Sequence, residues 1–387
     1  MGYNTIRLGV LWEGFEPTEG QFNQTYVDEL EKIINFSSDV GVYPLLDMHQ
    51  DVWSRKFCGE GVPDWAAKST FDNVKHFGFP WPLAKPYAVD ENNYPSREDC
   101  NSIPWPQYHF SWAISTAVGN MWDNKDGLRD KFVNFWGKVA ERFANNKNIF
   151  GYELINEPWC GNVYEDPLLL VEGLADRTKL QPMYDELNTE IRKYDPDRLI
   201  FFESITWELV GLGQKLGFTH APGGHEFASK SVLSFHNSVK PVQFPDPGYY
   251  EKRINEIKRL GIAGVVTETN DGENGIKFEL ADQYGLSWMH WGYKLYSSWT
   301  WDSSGLFDPT CKSDNIYDCI NTDQVKIYAR TYPKAVAGES LAFTFNATTL
   351  DAVLEYIPDP NCKLPTEIFF SETWHYTNGI EVEISGE

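Results

Sequence analysis

Carboxylate side chains at the ends of apolar segments are the residues of this chain best suited to chemistry. Residues 150–159 read Phe-Gly-Tyr-Glu-Leu-Ile-Asn-Glu-Pro-Trp, an apolar run that predicts a buried strand. Pro158 lacks an N–H and restricts the residue before it, so the strand is expected to end there. Glu157 would then lie with Asn156 at a carboxyl-terminal strand tip, where desolvation raises the pKa of a carboxyl group. Glu157 is therefore a candidate general acid, although a strand-end Asn and Glu could also simply cap the next helix.

A second carboxylate, Glu268, ends the segment Gly-Val-Val-Thr-Glu in a later predicted strand. If both strands belong to a parallel barrel, their carboxyl ends meet at one face. Two carboxyl groups across a cleft are what glycoside hydrolysis requires, because one protonates the leaving oxygen while the other attacks the anomeric carbon or activates water. This chemistry needs no metal and no cofactor, and we expect none.

Asp47, His49 and Asp51 alternate in the sequence, so an extended chain would point all three side chains to one side. Such a set could be a metal triad, but oxygen-rich metal sites usually gather ligands from more than one segment. His236 is a lone histidine in a predicted strand, and a histidine in that position is more often structural than catalytic.

Strand and helix patterns alternate along most of the chain. Predicted strands cover residues 3–12, 41–47, 150–159, 198–203, 231–236, 262–268 and 286–295. Predicted helices cover residues 26–36, 127–144, 180–194, 249–260 and 277–284. The alternation favours a parallel sheet with helices outside, that is, an α/β fold of the (β/α)₈ barrel class.

A barrel of that class has eight strands, and the pattern supplies seven. Because the chain begins on a strand, we expect the first βα unit to be absent from this sequence. A polar and aromatic insertion from Met48 to Asn124 is long enough to be a lid or a binding loop.

From residue 326 onward the pattern changes to short strands without helices, predicted at 341–346, 352–357, 366–370 and 381–384. We therefore expect a catalytic barrel over residues 1–325 and a small β domain over residues 326–387, which could be cut short.

The composition of the chain excludes some classes of partner. Lys and Arg number 33 against 56 Asp and Glu, which gives a formal net charge of -23. Such an acidic chain repels phosphates, so nucleic acid is not an expected partner. No apolar run is long enough to span a bilayer, so we expect no stable membrane insertion, and we expect a monomer.

The cysteines and glycosylation sequons indicate that the protein is located outside the cytosol. The chain has six cysteines, an even set whose pairing the sequence does not fix. Cys311 and Cys319 bracket a polar loop and are the pair most easily bridged, and Cys58 with Cys100 could hold the long insertion together. Asn23, Asn35 and Asn346 each begin a glycosylation sequon, although sequons also arise by chance. The sequence therefore indicates an extracellular, secreted or lysosomal protein whose leader is missing here.

A family resemblance makes the chemistry specific. Arg7, Asn156-Glu157-Pro158 and Glu268 after Val-Val-Thr resemble the pattern of glycoside hydrolase family 5, which is built on a (β/α)₈ barrel. Four further segments resemble its endoglycoceramidase branch: Leu46-Asp-Met-His-Gln-Asp51, Gly127-Leu-Arg-Asp-Lys-Phe132, Gly151 to Trp159, and Leu180-Gln-Pro-Met-Tyr184. The resemblance implies cleavage between oligosaccharide and ceramide in a glycosphingolipid, with retention of configuration.

The same resemblance implies a role for each matching residue. Glu157 would be the acid/base and Glu268 the nucleophile, with their carboxyl groups about 5 Å apart. Arg7 would keep Glu268 ionised, Asn156 would bind the sugar 2-hydroxyl, and His236 would support the site. The resemblance also assigns three substrate-binding residues: His49, Asp51 and Trp291.

Parts of the sequence qualify the resemblance. Ser238 stands where the family often has a tyrosine, and Thr269-Asn270 follows the nucleophile where the branch more often has Phe-Gly. A lipid-lining role for Trp299 and Trp301 would rest on their position alone. Two alternatives therefore stay open: a family 5 β-glucanase acting on soluble polysaccharide, and a non-catalytic binder of glycans or glycolipids.

Overall fold

The computed structural model of the protein describes residues 2–69, 77–206, 215–237, 247–269, 275–293, 305–308 and 310–386. It divides into two units. The larger unit spans Thr5–Ser234 and Asn255–Gly264. The smaller unit spans Met1–Asn4, Phe235–Ile254 and Val265–Glu387.

Parallel strands form the centre of the larger unit. They are β1 (Thr5–Gly9), β2 (Tyr43–Asp47), β3 (Gly151–Glu153), β4 (Leu199–Glu203) and β5 (Ser231–His236), whose last two residues belong to the smaller unit. Each strand pairs with the next along the chain, so Arg7 lies opposite Leu45 and Tyr152 lies opposite both Leu46 and Ile200. This order is typical of βα barrels, in which sequential strands are neighbours.

Two more strands follow the same pattern in the smaller unit. They are β6 (Ala263–Thr269), whose first two residues belong to the larger unit, and β7 (Ser287–His290). They are parallel, with Val265 opposite Ser287. All seven strands predicted for the α/β part of the sequence are thus confirmed within the residues described.

Helices connect the strands. They are α1 (Trp12–Phe15), α2 (Gln24–Asp39), α3 (Arg97–Cys100), α4 (Trp112–Trp122), α5 (Leu128–Phe143), α6 (Gln181–Ile191), α7 (Pro247–Leu260), α8 (Ile276–Gln283) and α9 (Thr322–Tyr328). Short 3₁₀ segments lie at Arg55–Phe57, Trp105–Phe110, Lys125–Gly127, Pro167–Leu170, His225–Lys230 and Ile316–Cys319, and a π-helical turn, Asp176–Leu180, leads into α6. The five predicted helices are confirmed as α2, α5, α6, α7 and α8.

Helix α4 was not predicted, because it lies in the stretch read as an insertion. Every one of its residues is buried, including the polar Ser115, Thr116 and Asn120, so its sequence lacks the exposed polar face that gives an amphipathic helix its period. The Ser111 hydroxyl caps it by accepting the N–H of Ile114. Part of the expected lid or loop is therefore a core element of the larger unit.

Each unit has its own apolar core. In the larger unit the fully buried rings include Trp12 and Phe135, whose centroids lie 5.8 Å apart. In the smaller unit, Phe278, Leu306, Val325 and Tyr328 form a buried cluster. The high aromatic content of the sequence is thus used in large part for packing.

Short antiparallel strands follow α9. They are β8 (Tyr332–Ala335), β9 (Gly338–Phe345), β10 (Ala352–Pro358) and β11 (Glu367–Phe369), paired as β9 with β10 and β8 with β11. The predicted strand at 381–384 is wrong, because those residues have no strand partner and Ile384 is 95% exposed. Alternating Ile, Val and Glu fit a pleated surface, but alternation cannot supply a neighbouring strand to bond with.

Two disulfides are present, joining Cys58 to Cys100 and Cys311 to Cys319, the two pairs that the sequence left as candidates. Cys160 is buried and Cys362 is exposed. Within the part of the chain that the structure describes, no helix is both long and apolar enough to cross a bilayer.

The Cys58–Cys100 bond should contribute more stability than the other disulfide, because it closes 42 residues rather than 8. Loop-closure entropy gives about 4 kcal/mol for the long loop and about 2.5 kcal/mol for the short one. Urea denaturation of the Cys58→Ser/Cys100→Ser and Cys311→Ser/Cys319→Ser proteins measures both effects. An equal or larger loss in the second protein would contradict this expectation.

Candidate active site

Glu157 lies in a buried segment that follows β3. The strand ends at Glu153, four residues earlier than the proline suggested. Of the predicted strand, only Gly151, Tyr152 and Glu153 pair with both neighbouring strands. The next residues keep single contacts: the Leu154 N–H donates to the Phe201 carbonyl at 3.0 Å, and the Asn156 N–H donates to the Met48 carbonyl at 3.0 Å. Asn156 and Glu157 thus remain fixed beyond the strand tip.

The backbone of Glu157 is left-handed, with φ at 41°. This conformation costs a non-glycine residue roughly 1 kcal/mol or more, and the following proline disfavours it further. Hydrogen bonds hold it on both sides: the Glu157 N–H donates to Glu203 Oε1 at 3.3 Å, and its carbonyl accepts from Gln50 Nε2 at 3.1 Å. Strain that neighbours maintain in this way is a frequent property of functional sites.

The Glu157 carboxyl group is suited to donating a proton at neutral pH. Its side chain is only 5% exposed, and burial raises the pKa of Glu157 to about 8, with a further upward contribution from the negative charge of Asp51. The positive charge of Arg7 and His49 opposes this rise. A carboxyl group that stays protonated near pH 7 can act as a general acid.

Arg7 lies among buried acids of the larger unit. Its Nε lies 2.5 Å from Glu153 Oε2, and its Nη2 lies 3.2 Å from Asp47 Oδ2 and 3.6 Å from Glu203 Oε1. Each of these carboxylates is at most 2% exposed, so the guanidinium offsets much of the cost of burying them. The predicted role of Arg7 toward Glu268 stays a prediction.

The Asn156 amide is held from two directions. Its Oδ1 accepts from Arg7 Nη2 at 2.8 Å, and its Nδ2 donates to the Gln50 carbonyl at 3.0 Å. The amide of Asn156 therefore has a defined orientation, with one Nδ2 hydrogen left to offer. Contact with a sugar hydroxyl stays a prediction.

Asp47, His49 and Asp51 form a chain of contacts. His49 Nδ1 lies 2.8 Å from Asp47 Oδ2, and His49 Nε2 lies 3.5 Å from Asp51 Oδ2. Burial alone would lower the pKa of His49, but hydrogen bonds to the two carboxylates raise it well above its usual range. His49 thus carries a positive charge beside Glu157.

The same region brings together side chains of the kinds that bind cations. Ligand atoms of His49, Asp51 and Glu60 lie within 4.8 Å of one another, which includes two of the three residues considered from the sequence. Glu60 is exposed, and the His49 nitrogens already face carboxylates, so the described contacts are those of an ion-paired histidine rather than of a metal ligand.

Glu268 lies in the smaller unit, one residue before the end of β6. Its side chain is 14% exposed, and its Oε2 lies 3.8 Å from His236 Nδ1. The Asn237 N–H donates to the Glu268 carbonyl at 3.2 Å, and the His236 carbonyl accepts from the Tyr249 hydroxyl at 2.9 Å. His236 thus lies beside the predicted nucleophile, close enough for its imidazole to stabilise a negative charge on Glu268.

Trp291 directly follows β7, and its N–H donates to the Thr269 carbonyl at 2.7 Å. Its side chain is partly exposed, as contact with a substrate would require. Ser238, Asn270, Trp299 and Trp301 lie outside the described residues.

Glu153 and Glu203 were missed by the sequence reasoning. Each is the last residue of an apolar strand, β3 and β4, and the same signal singled out Glu157. The resemblance directed attention to Glu157 and Glu268, whereas a rule that examines every carboxylate at a strand end would also have found Glu203.

A cavity of about 470 Å³ lies beside the segment that follows Glu157. One face of α4 contributes Trp112, Thr116 and Asn120, and the facing loop contributes Asn162 and Tyr164. An aromatic face together with amides and a hydroxyl is a lining suited to a polar ligand.

Two curated proteins are similar to this chain over nearly its whole length. An endoglycoceramidase of Hydra vulgaris is 38% identical over 99% of the chain and 72% of its own length. An endoglycoceramidase of Cyanea nozakii is 36% identical over 99% of the chain and 76% of its own length.

Solved structures show the fold. Endo-glycoceramidase II from Rhodococcus sp. in complex with ganglioside GM3 has a TM-score of 0.71 at 21% identity, and the match covers 97% of this chain and 81% of that one. The same Rhodococcus protein as a lactosyl-enzyme intermediate has a TM-score of 0.69 at 22% identity, covering 96% of this chain and 80% of that one. The expected barrel class is therefore confirmed, with a C-terminal β domain.

Family patterns match both parts of the sequence. Residues 330–387 match the glycoside hydrolase family 5 C-terminal domain. Residues 1–305 match the family described as Cellulase (glycosyl hydrolase family 5). The chain therefore belongs to glycoside hydrolase family 5.

Proposed function

We propose that this protein is a retaining endoglycoceramidase, which hydrolyses the bond between oligosaccharide and ceramide in glycosphingolipids. The observation that carries the proposal is the buried Glu157, whose pKa burial raises to about 8, on a backbone held in a left-handed conformation. A protonated carboxyl group of this kind is what departure of a poorly acidic alcohol such as ceramide needs.

The proposed reaction has two steps. In the first, the Glu268 carboxylate attacks the anomeric carbon, the bond from that carbon to the ceramide oxygen breaks, and the Glu157 proton passes to that oxygen. In the second, the Glu157 carboxylate takes a proton from water, and the resulting hydroxide displaces Glu268 from the anomeric carbon. Two inversions give net retention, and both carboxyl groups return to their starting states.

The relatives support this choice of substrate. The Hydra and Cyanea proteins are named endoglycoceramidases, and the Rhodococcus enzyme was solved with ganglioside GM3 and as a lactosyl-enzyme intermediate. The lactosyl intermediate of that enzyme fits a retaining mechanism, which we carry over to Glu268.

The direct test uses lactosylceramide and a ganglioside as substrates, with cello-oligosaccharides and a soluble β-glucan in parallel. We expect intact oligosaccharide and ceramide as the only products, detected by mass spectrometry. Release of single sugars would contradict the proposal. Preferential cleavage of the soluble glucans would favour the β-glucanase alternative, and calorimetric binding without turnover would favour the non-catalytic binder.

We further infer a monomeric, secreted or lysosomal glycoprotein. The two disulfides support an oxidising compartment. Among the sequons, Asn346 is exposed in the turn after β9, and Thr348 is exposed as well. Asn23 instead caps α2, and the sequon of Asn35 uses Ser37, which is buried.

Asn346 is therefore the position at which we expect an N-glycan. After expression in a eukaryotic secretory system, peptide N-glycosidase should lower the mass of the wild-type protein. Asn346→Gln should lack the corresponding part of that shift. If Asn346→Gln shifts as much as the wild type, the assignment to this position is wrong.

A further inference from the structure

A buried carboxyl group at the end of β4 has no part in the two steps above. Glu203 is 2% exposed, and it contacts the backbone of the acid/base residue, because its Oε1 accepts the Glu157 N–H at 3.3 Å. Its own carbonyl accepts from the Tyr184 hydroxyl at 2.8 Å, and its Oε2 accepts from Thr206 Oγ1 at 3.4 Å. Glu203 is therefore itself held in place.

The pairing of Glu203 with Arg7 is longer than that of the other acids. Among the acids around Arg7, Glu153 lies at 2.5 Å and Asp47 at 3.2 Å, whereas Glu203 lies at 3.6 Å. Glu203 is thus the most distant of the three carboxylates from the guanidinium. Its shorter contact is with the Glu157 N–H, a buried backbone donor that needs an acceptor.

The conformation of Glu157 explains why such an acceptor matters. With φ at 41° before a proline, Glu157 occupies a backbone region that it would otherwise leave. Gln50 Nε2 holds its carbonyl at 3.1 Å, and Glu203 holds its N–H, so the two side chains fix the residue from both sides. The direction of the Cα–Cβ bond follows from φ and ψ, and it sets where the acid points.

We propose that Glu203 is a positioning residue, which aims the Glu157 carboxyl group at the leaving oxygen by holding the Glu157 backbone in its left-handed conformation. This inference rests on the proposed glycosidase function. Activity on substrates with a poor leaving group then depends on Glu203, which contacts neither the substrate nor a reacting atom.

The protonation state of Glu203 fits the role. Burial, together with the negative charge of Glu153, raises the pKa of Glu203 well above its usual range. A neutral carboxyl group still offers an oxygen to the Glu157 N–H, and its hydroxyl adds a donor. A glutamine amide has the same acceptor and donor pattern, whereas methionine has nearly the same length and lacks the oxygen.

The test compares Glu203→Gln with Glu203→Met on two substrates, a glycosphingolipid and a dinitrophenyl β-lactoside. The parameter kcat/KM reports the first chemical step. In that step the activated phenol leaves without needing a proton, whereas ceramide leaves only when it receives one. We expect Glu203→Met to lose on the order of 10²-fold on the glycolipid and less than about tenfold on the activated lactoside. Glu203→Gln should restore most of the glycolipid activity.

Asp195 provides a matched control. It is a buried carboxylate in the connection between α6 and β4, where its Oδ2 accepts from the Tyr152 hydroxyl and from Arg198 Nε, both at 2.9 Å. Asp195→Asn should lower stability without changing the ratio of the two kcat/KM values. Equal losses on both substrates in Glu203→Met, or no rescue by glutamine, would overturn the inference.

A crystal structure of Glu203→Met tests the same point without any activity. We expect Glu157 to relax to negative φ in that protein, and a φ still near its wild-type value would overturn the positioning role. If the wild-type protein hydrolyses neither substrate, the proposed function fails, and this structural comparison still decides whether Glu203 holds the backbone.

Discussion

Replacing Glu268 by glutamine is expected to abolish release of oligosaccharide from a glycosphingolipid, lowering kcat by on the order of 10⁴-fold or more. An amide cannot attack the anomeric carbon, and no other described residue of the smaller unit is proposed as a nucleophile. The loss should be similar for an activated aryl lactoside, because both substrates need the same attack. Initial rates on the two substrates measure it.

The configuration of a trapped product identifies the role. In Glu268→Gly, azide can occupy the vacated space and attack the anomeric carbon of an activated β-lactoside from that face, giving an α-glycosyl azide. Glu279→Gln, which alters an exposed carboxylate on α8 of the same unit, should retain wild-type rates. Substantial glycolipid hydrolysis by Glu268→Gln, or a β-configured azide from Glu268→Gly, would rule out Glu268 as the nucleophile.

The strands and most helices could be predicted because their signals are local. A β-branched apolar run follows from the period of the element itself, and so does the predicted apolar face of α2, which is Val27, Leu30, Ile33 and Ile34. Of these four residues only Ile33 is wrong, because it is 43% exposed. Helix α4 lacked such a signal because all its faces are buried. The wrong strand at 381–384 had the local signal and lacked a partner, which no local pattern reports.

The candidate site also has some features that could be predicted from the sequence and others that could not. Glu157 and Glu268 could be found because each ends a strand in a recognisable segment. The positive φ of Glu157 could not be found, since it depends on Glu203 and Gln50 from distant parts of the chain. The same holds for Arg7, whose neighbours Asp47, Glu153 and Glu203 come from three different strands.

Removing the acid at Glu157 is expected to affect substrates unequally. In Glu157→Gln, kcat/KM for a glycosphingolipid should fall about 10²- to 10⁴-fold, because ceramide leaves only with a proton. For a dinitrophenyl lactoside the fall in kcat/KM should be much smaller. In Glu157→Ala, azide should attack the glycosyl-enzyme from the face opposite Glu268 and yield a β-glycosyl azide, the opposite configuration from the Glu268→Gly product.

The pH profile gives an independent readout of the same residue. Glu157 must be protonated to act as the acid, and its pKa lies at about 8, so wild-type kcat/KM on the glycolipid should fall as pH rises through about 8. That decline should be absent from the residual activity of Glu157→Gln. Asp51→Asn should move it to lower pH, because the Asp51 charge helps to raise the pKa of Glu157.

The stability of Glu157→Gln shows whether its lost activity comes from the missing proton donor or from a damaged fold. Because the folded pKa of Glu157 is raised, the native state holds a proton that the unfolded chain releases, so the contribution of this group to stability falls as pH rises from about 4.5 toward 8. Glutamine carries no buried charge above that range, and Glu157→Gln should therefore be at least as stable as the wild type at pH 9. If the variant is less stable there, or loses activity equally on both substrates, its lost activity reflects damage to the site rather than a missing proton.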